Sequence, residues 1–226
     1  MKYSQHETRL EVTLSPSAPA VGAVILLHGL GADGWDFAPI VSALELPDDL
    51  PLRFVFPHAP VRPVTVNNGY EMRAWYDVRA FTPEDRADAA GLAEAAARVS
   101  EYIRAEEAGG TPAARVVLAG FSQGGAVALH AGLRYRQQLA GILALSTYLP
   151  FPSTLAAEKS AANSAVPILL CHGTQDPVVP CRMGEESRDL LRSMGYEVEW
   201  RAYPMQHEVD ADELDEVSRW LCNRFA

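Results

Sequence analysis

The first feature that could do chemistry is the pattern G-x-S-x-G at residues 120–124, which stands between an apolar run and an apolar helix start. On a sharp turn from strand to helix, a serine is exposed above the sheet, and the flanking glycines avoid collisions where the backbone doubles back. The helix start also directs free N–H groups toward a developing oxyanion. Serines often cap helices and the pattern also occurs by chance, but this context favours Ser122 as a nucleophile.

A nucleophilic serine needs a base within hydrogen-bond reach and an acid that orients the base. In enzymes with this turn the chain order is serine, then aspartate or glutamate, then histidine. Four histidines come too early for that order: His6, His28, His58 and His130. Of the two that remain, His172 directly follows an apolar run and is assigned to local structure. His207 lies between the last predicted strand and the terminal helix, and we predict that it is the base.

The acid is predicted from its place after a strand. Asp176 lies just beyond the apolar run at residues 166–170, in the loop where the acid of such a triad belongs. An Asx turn before the following proline is the alternative role for this residue. Asp210 is the acid nearest to the base, but it precedes Glu213 by three residues, which is the spacing of a capping box. We therefore predict Asp176 as the acid and Asp210 as a helix cap.

The elements that must position these residues are predicted from hydrophobic patterning. Short apolar runs indicate strands that are covered on both faces, at residues 23–27, 52–56, 116–119, 142–145 and 166–170. Residues 10–14 alternate and predict a half-exposed opening strand. Helix-period segments end at Gly109 and Gly195, and a last helix carries Leu214, Val217 and Leu221 on one stripe. This alternation predicts one α/β domain over residues 1–226, with a mostly parallel sheet and helices on both faces.

Composition limits the function classes. The 226 residues are 48% hydrophobic, and the net charge of −10 comes from 29 acidic and 19 basic residues. The negative electrostatic field of this net charge opposes nucleic-acid binding, and no basic cluster supports membrane anchoring. The amino terminus has no apolar run of signal-peptide length, so a cytoplasmic location is predicted. An odd number of widely spaced cysteines predicts reduced thiols.

A rival interpretation comes from residues 29–34, which follow a strand and read G-x-G-x-x-G. That fingerprint would predict a nicotinamide-dependent oxidoreductase. It requires an acid near the end of the next strand, but residues 52–56 run into Pro-His-Ala-Pro instead. In a hydrolase the same glycines let a backbone N–H approach the substrate carbonyl oxygen. With no metal-spaced cluster in the sequence either, we predict that activity needs no metal and no cofactor.

Residues 57–83 show no sustained periodicity and are rich in aromatics. Loops of this length within a compact domain usually have a function. We therefore predict that Trp75 and Tyr76 help to form the substrate pocket. The alternative is that both side chains only pack this segment against the body of the protein.

Six segments, distributed over nearly the whole chain, together resemble the phospholipase/carboxylesterase family. They are residues 26–34, 56–60, 72–77, 120–125, 172–180 and 205–209. The resemblance implies an α/β-hydrolase fold without a large lid domain and a catalytic triad of Ser122, Asp176 and His207. It also implies an oxyanion hole formed by the backbone N–H groups of Leu30 and Gln123.

The function that this resemblance implies is hydrolysis of short to medium acyl esters through an acyl-enzyme, because residues 62–70 resemble the bacterial carboxylesterase branch more than the eukaryotic thioesterase branch. Acyl-protein thioesterase and lysophospholipase are the alternatives within the family. A silent hydrolase scaffold that binds a partner is a further alternative, against which the intact triad speaks. The expected partner is a small acyl ester or thioester, and a homodimer is left open.

Overall fold

The computed structural model describes residues 2–80 and 88–226, and an eight-stranded sheet crosses its centre. Within the described residues, the ten strands are β1 Tyr3–Glu7, β2 Glu11–Pro16, β3 Gly22–Leu27, β4 Leu52–Pro57, β5 Val61–Val64, β6 Tyr70–Arg73, β7 Val116–Phe121, β8 Gly141–Leu145, β9 Ile168–Gly173 and β10 Val198–Tyr203. Their order across the large sheet is β1-β2-β4-β3-β7-β8-β9-β10, whereas β5 and β6 form a separate hairpin.

The helices alternate with the later strands. They are α1 Ala89–Ala108, α2 Gln123–Arg134, α3 Pro152–Glu158, α4 Cys181–Ser193 and α5 Ala211–Phe225. Short 3-10 turns occupy Ala38–Ser42, Thr65–Asn67, Ala113–Arg115 and Ala161–Asn163. In the part of the chain that the structure describes, no helix has both the length and the apolar composition to cross a membrane.

In the large sheet the six strands β4, β3, β7, β8, β9 and β10 run parallel to one another, whereas β2 pairs antiparallel with both β1 and β4. The carboxyl ends of β3, β7, β8, β9 and β10 therefore lie at one edge of the sheet. In an open parallel sheet this is the edge at which functional residues gather. The chain leaves β7 here directly into α2, with Ser122 between the two elements.

Two hydrophobic clusters cover the two faces of the sheet, because alternate strand residues point in opposite directions. On β3, Ile25 packs into the cluster that also holds Leu92 of α1 and Leu129 of α2. Its neighbour Val24 packs into the other cluster, together with Trp220 of α5. This arrangement buries the central strands on both faces, as their continuous apolar runs predict, and confirms the α/β-hydrolase fold without a large lid domain.

Several predicted elements are observed close to their expected bounds. All five apolar runs are strands of the large sheet, α1 ends at Gly109, and α4 is followed by Gly195 with a φ of 90°. The sequence analysis missed β1, the β5–β6 hairpin and α3. The opening strand also differs from its prediction, since Thr13 is 3% exposed between two buried neighbours. The adjacent β1 covers β2 along its outer edge, so β2 is not the edge strand.

The segment at residues 57–83 contains the short hairpin β5–β6 rather than an irregular loop. Gly69 has a φ of 75° and Asn68 a φ of 55°, so both adopt the left-handed conformation that closes the turn. Val61 and Tyr70 are exposed on the hairpin, which explains why its sequence lacks a buried pattern. The end of the predicted segment, residues 81–83, lies outside the described residues.

Candidate active site

Ser122 lies on a strained turn between β7 and α2. Its φ of 53° and ψ of −117° are rarely adopted by a residue with a side chain. A Cβ atom on Gly124 would come within 2.1 Å of the carbonyl oxygen of Leu27, and one on Gly120 would meet the backbone of Gly124. The hydroxyl of Thr147 donates to the carbonyl oxygen of Ser122 at 2.6 Å and holds the turn. The two glycines are therefore required by the close approach of the backbone.

His207 lies in the loop between β10 and α5, at the same edge of the sheet. Its Nε2 is 2.9 Å from Ser122 Oγ, and its Nδ1 is 2.6 Å from Asp176 Oδ2. The ring also packs against Phe121, with 4.8 Å between the ring centroids. The structure thus brings together the three side chains that the sequence predicts as a triad, although 85 residues separate the serine from the histidine.

Asp176 uses its two carboxylate oxygens for different partners. Oδ1 accepts hydrogen bonds from the backbone N–H groups of Val178 and Val179, both at 2.8 Å, and Oδ2 faces His207. The Asx-type turn and the contact with the histidine therefore exist together. Because a carboxylate only accepts, the proton of the imidazole lies on Nδ1, which leaves Nε2 free to accept the proton of Ser122.

The two residues set aside in the sequence analysis have structural contacts. His172 Nε2 lies 2.8 Å from the carbonyl oxygen of Val179, which only accepts, so the imidazole donates this bond. Burial lowers the pKa of His172, which keeps this ring neutral although Asp176 Oδ2 lies 3.6 Å away. Asp210 Oδ1 accepts from the backbone N–H of Glu213 at 2.8 Å, so Asp210 is the N-cap of α5, as predicted.

The backbone N–H groups predicted to form an oxyanion hole are near the serine. Gln123 is the first residue of α2, and Leu30 follows Gly29, where a Cβ atom would lie 3.6 Å from the Cβ of Ser122. Neither N–H donates a hydrogen bond to any residue that the structure describes. Gly31 has a φ of 79°, which turns the chain away after Leu30. The role of both N–H groups in an oxyanion hole stays a prediction.

Trp75 and Tyr76 are each 1% exposed, deep in the first of the two clusters. The side chain of Gln123 binds their backbone at two points: Oε1 accepts from the N–H of Trp75 at 2.9 Å, and Nε2 donates to the carbonyl oxygen of Tyr76 at 2.8 Å. The indole N–H of Trp75 donates to the carbonyl oxygen of His28 at 2.9 Å. Their packing role is thus visible, and their role in substrate binding stays a prediction.

The sequence analysis missed His28 and the side chain of Gln123 as parts of this region. His28 was discarded because it precedes the serine, yet it follows β3 directly and so lies at the same sheet edge. That position was the one signal in the sequence that could have drawn attention to it. The partners of the Gln123 carboxamide lie 47 and 48 residues away and leave no local pattern.

A cavity of about 430 Å³ lies between the segment that follows β8 and helix α4. We call it the α3–α4 cavity, and the apolar side chains that line it include Tyr148, Leu149, Phe151, Met183 and Leu190. The hydroxyl groups of Tyr148 and Tyr76 are 3.0 Å apart. The cavity therefore adjoins the buried part of the predicted pocket.

The glycine-rich segment after β3 is not followed by the helix that a dinucleotide site requires. Between β3 and β4 the structure contains only the 3-10 turn Ala38–Ser42, so these glycines do not lead into an α-helix of their own, as the dinucleotide fingerprint requires. Among residues 2–80 and 88–226, no group of three or more His, Cys, Asp or Glu side chains could hold a metal ion.

Comparison with known proteins identifies the family of this chain. The model of the phospholipase/carboxylesterase family matches residues 8–223. The chain belongs to this family. Acyl-protein thioesterase 1 of Neurospora crassa is 40% identical over 211 residues, which are 89% of this chain and 86% of that protein. Acyl-protein thioesterase 1 of Schizosaccharomyces pombe is 41% identical over 182 residues, 80% of each chain.

Solved structures agree with the family assignment. The crystal structure of Zea mays acyl-protein thioesterase 2 aligns with a TM-score of 0.85 and 29% identity, over 96% of this chain and 99% of that one. The family resemblance drawn from six sequence segments is confirmed, and with it the prediction of an enzyme. The chain is a serine hydrolase, and the substrates of its family are esters and thioesters.

Proposed function

We propose that Ser122, His207 and Asp176 form the catalytic triad and that the enzyme hydrolyses acyl thioesters and carboxylic esters through an acyl-enzyme. The observation that carries this proposal is the continuous hydrogen-bonded chain from Ser122 Oγ through the imidazole to Asp176 Oδ2, with distances of 2.9 and 2.6 Å. Such a chain activates a hydroxyl that is otherwise a poor nucleophile at neutral pH.

In the proposed reaction, Ser122 Oγ attacks the acyl carbon while His207 Nε2 takes its proton. The carbonyl oxygen becomes an anion and accepts hydrogen bonds from the N–H groups of Leu30 and Gln123. The protonated imidazole then donates its proton to the leaving thiol or alcohol, which leaves an acyl group on the serine. Water, activated by the same imidazole, releases the carboxylic acid and restores the hydroxyl.

An acyl thioester is the favoured substrate class. The curated relatives named acyl-protein thioesterase 1 are 40% and 41% identical and cover most of the chain. They support the thioesterase alternative better than the carboxylesterase for short to medium acyl esters that the sequence analysis preferred. A carboxylic ester reacts through the same steps and stays the second candidate. Esters serve as assay substrates for either activity.

The α3–α4 cavity supports a substrate with an extended acyl chain. One of its walls begins at Tyr148, next in sequence to Thr147, which is bonded to Ser122. The other wall begins at Met183, a few residues after Val179, which is bonded to Asp176. Both walls are therefore close in sequence to residues that hold the triad. Its lining is mainly apolar, as an acyl chain requires.

The test of the nucleophile is Ser122→Ala. We expect this variant to lose p-nitrophenyl butyrate hydrolysis by several orders of magnitude, to lose labelling by a fluorophosphonate probe, and to keep the circular dichroism spectrum of the wild type. Substantial turnover by a folded Ser122→Ala variant would show that another group is the nucleophile.

The substrate class is tested with one peptide that carries the same acyl group either on cysteine or on serine. We expect a higher kcat/KM for the S-acyl peptide than for the O-acyl peptide, after correction for the uncatalysed rates of both. A higher corrected value for the O-acyl peptide would instead favour the carboxylesterase. The cytoplasmic location and the homodimer stay predictions, and light scattering at several protein concentrations tests the latter.

A further inference from the structure

The peptide unit between Gly29 and Leu30 carries two hydrogen-bonding groups in one plane. One end is the carbonyl oxygen of Gly29, and the other is the N–H of Leu30, which the proposed function places in the oxyanion hole. A trans peptide is planar, with its C=O and N–H pointing in opposite directions. Whatever holds the carbonyl oxygen of Gly29 therefore also aims the N–H of Leu30.

The imidazole of His28 holds that carbonyl oxygen. His28 Nδ1 is 2.7 Å from Gly29 O, and the backbone N–H of Ala59 donates to His28 Nε2 at 3.0 Å. Because a backbone N–H only donates, Nε2 must be the unprotonated nitrogen, and Nδ1 carries the proton that is donated to Gly29. The only other donor to Gly29 O among the described residues is Ala32 N, at 3.3 Å.

The surroundings of His28 keep the ring in this state and this place. His28 is 1% exposed, and burial lowers its pKa to about 4, so the imidazole is neutral at the pH at which the triad works. Its own carbonyl oxygen accepts from the indole N–H of Trp75, whose backbone N–H is bound by the carboxamide of Gln123. The ring and the main chain of His28 are thus fixed independently.

We propose that His28 is a positioning residue whose Nδ1–H, by holding the carbonyl oxygen of Gly29, aims the N–H of Leu30 at the substrate oxyanion. His28 touches no reacting atom and acts through the peptide unit alone. Without this bond, only the longer contact from Ala32 N holds the carbonyl oxygen of Gly29, and the Gly29–Leu30 unit can rotate more freely because Gly29 has no side chain to restrict it. The inference rests on the proposed function, because it assumes that Leu30 stabilises the oxyanion.

Two substitutions separate the two hydrogen bonds of the ring. In His28→Asn the amide nitrogen takes about the place of Nδ1 and can donate to Gly29 O, while the contact with Ala59 is lost. In His28→Gln the terminal amide takes about the place of Nε2 and keeps the contact with Ala59, while the bond to Gly29 is lost. Each variant loses one bond of the pair, so a merely structural role predicts similar effects for both.

The measurements are kcat for p-nitrophenyl butyrate and the inhibition constant of butylboronic acid, which forms a tetrahedral anion on the serine. We expect kcat of His28→Gln to be at least about tenfold below that of His28→Asn, with a parallel loss of boronic acid affinity and a smaller change in KM. Equal values of kcat in the two variants, or a wild-type kcat in His28→Gln, would overturn the proposal.

Asn163→Leu is the matched control. Asn163 is fully buried and its carboxamide also binds backbone groups, accepting from Leu139 N at 2.9 Å and donating to the carbonyl oxygens of Tyr135 and Gln137 at 2.8 Å. These residues belong to the segment between α2 and β8, at the opposite edge of the sheet. We expect a lower Tm and an unchanged kcat, which shows that loss of buried hydrogen bonds alone does not impair catalysis.

His28→Asn alone keeps the proposal testable if His28→Gln does not fold, because it retains a donor to the carbonyl oxygen of Gly29. Its kcat and boronic acid affinity should stay near those of the wild type, and a parallel loss of both in a folded variant would contradict the positioning role. Failure of the proposed function has a different signature, since a wild-type enzyme without esterase activity or Ser122 labelling contradicts the triad itself. An active wild type with equivalent His28 variants contradicts only the present inference.

Discussion

At Asp176, the proposed acid of the triad, the two carboxylate oxygens are not equivalent. Oδ1 of Asp176 is occupied by the N–H groups of Val178 and Val179, so only Oδ2 faces His207. The side chain is fully shielded from solvent. This division means that the carboxylate can neither rotate nor exchange its oxygens without breaking bonds to the loop. The geometry of the base is therefore set by the loop after β9.

We expect Asp176→Asn to lower kcat by roughly 10³ to 10⁴ without comparable loss of stability. The two N–H groups of the loop hold the amide oxygen, so the amide nitrogen must face His207 and donate to Nδ1. The proton of the imidazole then lies on Nε2, which can no longer accept from Ser122. Asp210→Asn is the control and should retain kcat. If it is Asp210→Asn that destroys activity, the acid is misassigned.

A second prediction concerns the contact between Tyr76 and Tyr148, whose hydroxyl groups are 3.0 Å apart at the α3–α4 cavity. Tyr76→Phe removes one of the two hydroxyl groups and leaves the packing of the ring unchanged. If the cavity receives the acyl chain, we expect the dependence of kcat/KM on acyl length to change, measured on p-nitrophenyl esters of increasing chain length. An unchanged length profile with a lower Tm would support the packing role alone.

Among the elements, helix α5 begins with an incomplete capping box. Asp210 caps the N–H of Glu213, as the sequence spacing predicts, but the side chain of Glu213 does not return to the cap. Both of its carboxyl oxygens are buried and have no hydrogen-bond partner among the described residues. Burial, with a smaller contribution from Asp210, raises the pKa of Glu213 to about 8. This carboxyl is thus uncharged at neutral pH, at the helix that follows the His207 loop.

The pH dependence of stability follows from that shift. Between the ordinary pKa of 4.5 and the raised value of about 8, the folded protein keeps a proton that the unfolded chain has lost, so the free energy of unfolding falls as pH rises. We expect Glu213→Gln to remove this fall. We expect the free energy of unfolding of Glu213→Gln, measured in urea, to equal that of the wild type at about pH 4.5. Above about pH 8 it should exceed the wild-type value by on the order of a few kcal/mol. Parallel pH profiles for the two proteins would contradict the raised pKa.

Over the whole molecule, the same strands supply both hydrophobic clusters, one on each face of the sheet. Neither cluster can be exposed without removing the support of the other. We therefore propose that the chain is one domain. Far-ultraviolet circular dichroism, tryptophan fluorescence and esterase activity should report the same midpoint in urea. Separate midpoints for two of these probes would indicate two units.

Metal removal is a further test at this scale. In the proposed chemistry, His207 activates Ser122 as the nucleophile, and backbone N–H groups stabilise the oxyanion. Protein groups therefore perform every step. Dialysis against a chelator should leave kcat for p-nitrophenyl butyrate unchanged. Restoration of a lost activity by zinc or another ion would show that the chemistry is different.

Much of this protein can be predicted from local sequence patterns. Continuous apolar runs locate the central strands because a strand buried on both faces needs apolar residues at every position. Gly109 and Gly195 mark the ends of α1 and α4 because they suit the end of a helix. Chain order selects Asp176 and His207 after the serine motif, since the fold places the strand ends that carry them at one edge. These signals are all within a few residues or depend on order alone.

Features that depend on contacts between residues far apart in sequence were decided only by the tertiary structure. The edge strand β1 and the hairpin β5–β6 have exposed side chains and no buried pattern, so pairing with other strands defines them. The tautomer of His28 is set by the hydrogen bond from the backbone N–H of Ala59, 31 residues away. The side chain of Glu213 does not complete the capping box of α5, because it is buried when the helix packs against the sheet. Hydrogen-bond partners and burial arise only when the chain is folded, because contacts between residues far apart in sequence leave no periodic trace.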